Sequence, residues 1–243
     1  MSWSAKFLKM RGPNKVGSGP GTVITLSGGS GSLASKVAEV VGQQFGYRVY
    51  LPEMFAGING VGSRHRAQRH AEFTPDSGLG HLYASFLEHC RVSDTPQRRA
   101  RFALLGSVAL EGNCIIVGDD VHALLAPCVA LSIQCVASND TRMHRVARMR
   151  GISSLEAERV LREEDVRRRR DVTWWIGEAR SDATSFDLTI STDTFAVDQA
   201  AAIAVRTYRG MQGSKRGMPV KMLGRPKSQF EQLMNAAMWV KAK

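Results

Sequence analysis

The first residues in this sequence able to do chemistry are Gly28, Gly29, Ser30, Gly31 and Ser32, within "TVITLSGGSGSLASKVAEVVG" at 22–42. Placed between a strand and a helix, such a turn lets successive backbone N–H groups converge on an anion, and the helix N-terminus adds partial positive charge. The full nucleotide loop reads G-x-x-x-x-G-K-[ST]; its lysine reaches the outer phosphates and its hydroxyl holds magnesium. Here the turn is shorter and that lysine is missing. Lys36, the only lysine between residues 17 and 205, stands one helical turn further on. It is either a displaced phosphate contact or a plain solvated helix lysine.

A second set of candidates lies in "TRMHRVARMRGISSLEAERVLREEDVRRRRDVTWW", residues 141–175. Arg142 and Arg145 fall one turn apart on a predicted helix, and Asp165 and Arg168 pair likewise on the next. Two such helices would close as an arginine-bearing flap. Arginine suits phosphate because its planar fork gives two hydrogen bonds to one oxyanion and stays charged. The competing reading is a solvated helical hairpin laced with Glu/Arg pairs.

These residues need a scaffold, and five apolar segments supply one. "TVITLS" (22–27), "YRVYL" (47–51), "NCIIVG" (113–118), "CVALSIQCVA" (128–137) and "FDLTIST" (186–192) are rich in sheet formers and mostly separated by helical patterns. That alternation predicts an α/β fold, a parallel five-stranded sheet with helices on both faces and the 22–27 strand central. In "SLASKVAEVVGQQFG" the residues Leu33, Val37, Val40 and Val41 share one helical face, ending at Gly46. "SGLGHLYASFLEHC", "TPQRRARFALLGSVALEG" and "STDTFAVDQAAAIAVRTYRG" are further helical stretches.

With 243 residues and 43% hydrophobic content the chain can bury one sizeable core, so the domain is set at 22–208. Residues 57–80, with glycines and the basic cluster "SRHRAQRH", read as a mobile insertion over one end of the sheet. A basic tail, 1–21, precedes the domain. A second, 209–243, follows it and contains "SQFEQLMNAAMWVKAK", a short amphipathic helix that packs on the core or meets a protein partner or membrane.

The net charge of +11 resides in these tails. Residues 1–16 hold four Lys/Arg and no acid, and residues 206–243 hold nine against Glu231. The remaining 20 bases face 21 acids, which argues against a broad basic groove on the domain. Basic tails suit nonspecific contact with nucleic acid or an anionic membrane surface. No apolar run is long enough for a membrane span and no secretory signal is recognisable, so a cytoplasmic location is expected. Cys90, Cys114, Cys128 and Cys135 lie far apart without C-x-x-C spacing and are expected to be buried thiols.

The order of elements, from "VITLSGGSGSLASKVAEVVGQQFGYRVY" through "GNCIIVGDDVHALL" and the arginine hairpin to "SFDLTISTDTFAVDQA", resembles the cytidylate kinase-like proteins of the P-loop nucleoside monophosphate kinases. The resemblance spans about residues 22–205. It implies a P-loop kinase-like fold, an Arg-rich lid at 141–175, and ATP with Mg2+ as cofactors of an active enzyme. Arg142, Arg145, Asp165 and Arg168 fall at the family's lid positions, with Trp174 and Trp175 where it often has paired tyrosines; "SFDLTIST" is similar to its last strand around Asp187.

Departures concentrate on the sheet side. The glycine loop is shorter than the family's. Tyr50, Leu51, Pro52 and Glu53 replace a charged strand end, and Val117, Gly118, Asp119 and Asp120 put acids where the family carries a cation. An acid there repels phosphate unless magnesium intervenes, so Asp119 and Asp120 are the candidate metal ligands. Three readings follow. One is a binder of nucleotide or phosphate with phosphoryl transfer weak or lost, in effect a pseudokinase. The second is an active CMP-type kinase using ATP with rearranged phosphate ligands. The third is tail-driven nucleic-acid or membrane binding on an inert α/β scaffold.

Overall fold

The computed structural model describes residues 22–55, 78–177 and 183–211. Five strands, β1 (Val23–Ser27), β2 (Arg48–Tyr50), β3 (Cys114–Val117), β4 (Val129–Val136) and β5 (Leu188–Ser191), form one sheet in the order β2-β3-β1-β4-β5. Every pairing is parallel, and β1 is central. Each strand falls inside its expected segment, because a strand buried on both faces needs a nearly continuous apolar run, a feature local enough to read directly.

The helices are α1 (Ala34–Phe45), α2 (Gly78–Cys90), α3 (Pro96–Glu111), a single turn α4 (Val121–Leu124), α5 (Asn139–Arg150), α6 (Ser154–Ile176) and α7 (Val197–Met211). Alternation along the strands sends their side chains to two cores. Ile115 and Val117 join Ile24, Leu26, Val37, Val41, Ala201 and Val205 beneath α1 and α7. Cys114 and Ile116 join Leu82, Phe86, Phe102, Leu105 and Ile176 beneath α2, α3 and the end of α6. Each fully buried Val, Ile or Leu contributes about 1.5–3 kcal/mol, so these two layers dominate stability.

The outer part of the hairpin of α5 and α6 stands apart, with Val146, Ala157 and Leu161 buried in a cluster of its own, whereas Val172 and Ile176 at the far end of α6 enter the main core. Local signals begin both helices: Ser138 Oγ accepts from Thr141 N–H, and Ser153 Oγ from Glu156 N–H. With so little apolar contact, polar bonds must hold this outer part of the hairpin to the domain.

Several boundaries move. Leu33 is not a helical residue; it sits in the left-handed region (φ 61°) just before α1, which has no side-chain cap. Residues 78–80, assigned to the insertion, are the first turn of α2, and α7 continues past residue 208 to Met211. The 1–21 tail, the second tail beyond residue 211 with the amphipathic helix expected at 228–243, and the rest of the insertion lie outside the described residues. All four cysteines are buried and none forms a disulfide among the described residues, and burial pushes the Cys114, Cys128 and Cys135 thiols up to about 12, leaving them inert. Among the described residues no helix is long and apolar enough to cross a membrane.

Candidate functional site

The glycine turn leaves the carboxyl end of the central strand, where open α/β sheets bind ligands. Ser32 N–H bonds back to Gly29 O at 3.0 Å, and Gly31 has φ 80°. At Gly28 a side chain has no room: a Cβ would lie 2.3 Å from Ser32 Oγ and 2.8 Å from Cys135 O. Ser32 Oγ is buried without a hydrogen-bond partner among the described residues. Lys36 takes no part in this. Its ammonium is exposed and bonds Glu39 at 3.1 Å, the ordinary arrangement of a solvated helix lysine.

The hairpin of α5 and α6 lies directly on the turn. Arg142 Nε donates to Ser30 O (2.7 Å), and its two terminal nitrogens hold both oxygens of Asp165 (2.9 and 2.6 Å). Arg145 donates to Gly31 O (2.9 Å), Thr192 Oγ1 (2.9 Å) and Thr192 O (2.7 Å). Ser30 Oγ donates to Glu164, which also holds Arg150. Arg168 grips Asp119 through two nitrogens (2.5 and 2.6 Å), and Ser27 Oγ donates to the same carboxylate at 2.6 Å. The structure thus brings Arg142, Arg145, Asp165 and Arg168 to the glycine turn. Their pairing differs from the expected one: Asp165 meets Arg142 across the hairpin, and Arg168 meets the sheet.

Asp119 and Asp120 diverge although adjacent. Asp119 faces the site, whereas Asp120, 4% exposed, turns under α3 and is held by Arg101 through both oxygens (2.5 and 2.8 Å). As magnesium ligands the pair does not fit this arrangement. Asp120 is enclosed, both Asp119 oxygens face a guanidinium, and no group of three His, Cys, Asp or Glu among the described residues could hold a metal. In this arrangement Asp120 is the anchor for Arg101.

Sequence reasoning missed that anchor and its neighbour Arg98. Arg98 is buried, and its guanidinium donates to the carbonyls of Trp174, Trp175 and Ser93 while lying over the Trp174 ring at 4.5 Å. Arg101, one turn on, lies over Trp175 at 5.0 Å. The pair fixes the C-terminal end of α6 to α3. The i, i+3 spacing on α3 was visible, but a buried arginine capping another helix leaves no mark in spacing. Asp187 proves equally structural, accepting from Ser132 N–H and Oγ (3.0 and 2.9 Å) to staple β5 to β4.

A cavity of about 410 Å³ opens beside the turn, lined by Ser27, Asp119, Gln134, Asn139, Arg142, Asp165, Arg168, Arg169, Val172 and Phe186. Ser27 and Gln134 are register partners across β1 and β4. Asp165, Arg168, Arg169 and Val172 follow an i, i+3, i+4, i+7 stripe on α6. None of residues 28–32 lines it, because the hairpin covers the turn. Its size suits a small molecule.

Burial raises the Asp119 carboxyl, but the bonds and charge of Arg168, with Ser27 Oγ and Gly28 N–H, outweigh it and hold the group below its ordinary value. Glu164 is likewise lowered by Ser30 and Arg150 against the effect of burial. Depressed carboxylates stabilise above their unfolded values of about 4, and that contribution is lost as pH falls through the folded ones. The melting temperature is therefore expected to hold between pH 7 and about 5 with respect to these groups and to drop below about 4. Asp119→Asn should flatten the acid limb; an unchanged limb would show that the Arg168 contact does not fasten the hairpin.

Comparison with known proteins agrees with this architecture. Residues 23–194 match the model of the cytidylate kinase-like family, and no curated protein matches. An uncharacterized protein from Eubacterium ventriosum superposes with a TM-score of 0.60 at 16% identity, covering 78% of this chain and 98% of its own. Shikimate kinase from Acinetobacter baumannii, in complex with shikimate, gives 0.43 at 13% identity, covering 80% and 96%. The YorR protein of Bacillus subtilis, in complex with phosphorylated GDP, gives 0.42 at 16%, covering 79% and 98%. The first likeness is one of fold alone. With its five-stranded parallel sheet, glycine turn and arginine hairpin, and with the family's model matching most of its length, the chain belongs to the cytidylate kinase-like family.

Proposed function

We propose that this chain binds a phosphate-bearing small molecule of the CMP type in the cavity between β1, β3 and α6, and that phosphoryl transfer there is weak or lost. The observation that carries this reading is where the cations are committed. Arg142 and Arg168 are each held by a carboxylate, and Arg145 is spent on backbone and Thr192. Phosphoryl transfer works by surplus, pre-positioned positive charge around the equatorial oxygens, and the loop lysine that would add it is missing. The cavity itself holds three arginines against Asp119 and Asp165, a surplus of one cation. That surplus suits a phosphomonoester better than a triphosphate.

The second reading, an active CMP kinase with ATP and Mg2+, draws on Ser27 and Asp119, two hard oxygen donors 2.6 Å apart at the cavity wall. It requires Arg168 to release Asp119 first. Dialysed protein titrated with CMP and with ATP, each with and without Mg2+, together with an assay for ADP release, separates the two. CMP is expected to bind, and turnover to fall at least about 100-fold below the ~1–100 s−1 of kinases, the effect of losing a transition-state cation. Robust turnover of any nucleoside monophosphate that vanishes in Arg168→Ala would replace the first reading with the second.

A further inference from the structure

The three arginines that line the cavity are not equivalent, and the difference locates the ligand's charged group. Arg142 already holds Asp165 and the Ser30 carbonyl, and Arg168 already holds Asp119. For either to take an anion, a half-buried carboxylate would first have to lose its partner, which is costly at low dielectric. Arg169 has no ion pair or hydrogen bond among the described residues, and it stands on the same α6 stripe with its side chain on the cavity wall. An anion at Arg169 would require no exchange of partners.

The rest of the lining has a direction. The glycine turn is roofed by Arg142 and Arg145, whose donors meet the carbonyls of Ser30 and Gly31, so a ligand does not enter there. Away from the turn the wall becomes apolar at Val172 and Phe186, and Phe186 in turn packs on His122 with ring centroids 4.2 Å apart. Gln134 and Asn139 add carboxamides, which both donate and accept. A fork-shaped cation, a ring-sized apolar wall and two carboxamides match a phosphomonoester of a flat polar ring.

We infer that Arg169 anchors the anionic group of the ligand, on the α6 wall and away from the glycine turn. This rests on the phosphate-binding reading above, and it goes beyond it in moving phosphate recognition off the loop and onto a residue outside the Arg142, Arg145 and Arg168 set. Because Arg169 supports no other side chain, its removal leaves the hairpin docked. The function of the glycine turn is then to seat the hairpin, not to hold phosphate.

The test is calorimetric titration of the full chain with CMP and, separately, with inorganic phosphate. Wild type is compared with Arg169→Ala, Arg169→Lys and Arg162→Ala. Arg162 is an exposed residue paired with Glu158, two turns along the same helix, so its loss removes equal charge outside the cavity. Arg169→Ala is expected to weaken CMP by roughly 10- to 100-fold, the worth of a charged hydrogen bond, with its melting temperature unchanged. Arg169→Lys should fall between, and Arg162→Ala should stay within about twofold of wild type. Inorganic phosphate should weaken in the same variant. Binding by Arg169→Ala equal to wild type overturns the assignment while leaving the phosphate reading standing. Equal losses in Arg169→Ala and Arg162→Ala overturn it in favour of diffuse charge. A wild-type chain that binds neither probe overturns both readings.

Discussion

Arg101→Ala is expected to lower stability by about 3–5 kcal/mol, the cost of stranding a buried carboxylate without its partner. Asp120 is only 5% exposed at its side chain and Arg101 17%, so water cannot replace the lost guanidinium. The substitution also removes the cation over the Trp175 ring, at the C-terminal end of α6. Urea denaturation with tryptophan fluorescence reads the change. Because the loss comes from the unpaired acid, adding Asp120→Asn to Arg101→Ala should recover a large part of it. A double variant no more stable than the single one would mean that the packing of Arg101, not its charge, is what matters. The same experiment bears on metal binding: an Asp120 that served as a ligand would be solvated and would tolerate losing Arg101.

Gly31→Ala is expected to undock the hairpin. Two costs coincide there. At φ 80° an alanine pays about 1–2 kcal/mol for the left-handed conformation. Its Cβ would also lie 2.8 Å from Arg142 Cα and 2.9 Å from Arg142 O, backbone atoms that retreat only if α5 moves as a whole. Movement of α5 breaks the Arg142 to Ser30 and Arg145 to Gly31 bonds, and the outer part of the hairpin has only Val146, Ala157 and Leu161 buried to fall back on. Gly46→Ala is the matched control, since Gly46 has φ 67° and an added Cβ there would meet nothing within 4 Å among the described residues. The control should lose about 1–2 kcal/mol and keep the hairpin protected. Gly31→Ala should lose about 1–3 kcal/mol more, the usual cost of overpacking, and show faster limited proteolysis at the 150–153 turn. Equal protease sensitivity in the two variants would show that the hairpin does not rest on the glycine turn.

Both expectations depend on contacts that the one-dimensional pattern did not specify. The sequence places Arg142 and Arg145 one turn apart on one helix and Asp165 and Arg168 one turn apart on the next, because residues three apart share a helix face. That spacing does place all four on the faces that meet the domain. It does not choose partners, and the pairs that form are separated by 23 and 49 residues. An arginine reaches any acceptor in a wide arc, so its partner is decided by how the hairpin lands on the sheet.

What the sequence determined by itself was the local layer. Runs of Val, Ile and Leu specified five strands within a residue or two, since burial on both faces demands them. The order of elements sufficed to reach the family. Only the tertiary structure decided what the site residues do. It turned consecutive acids apart, Asp119 to the cavity and Asp120 to Arg101, because successive residues at a strand end leave the sheet in different directions. It placed Lys36 in solvent, gave Arg98 and Arg101 to the end of α6, and left Arg169 on the cavity wall without a partner among the described residues. Charge fixes what a residue is able to bind, but burial and the nearest acceptor fix what it does bind, and both are properties of the packed chain.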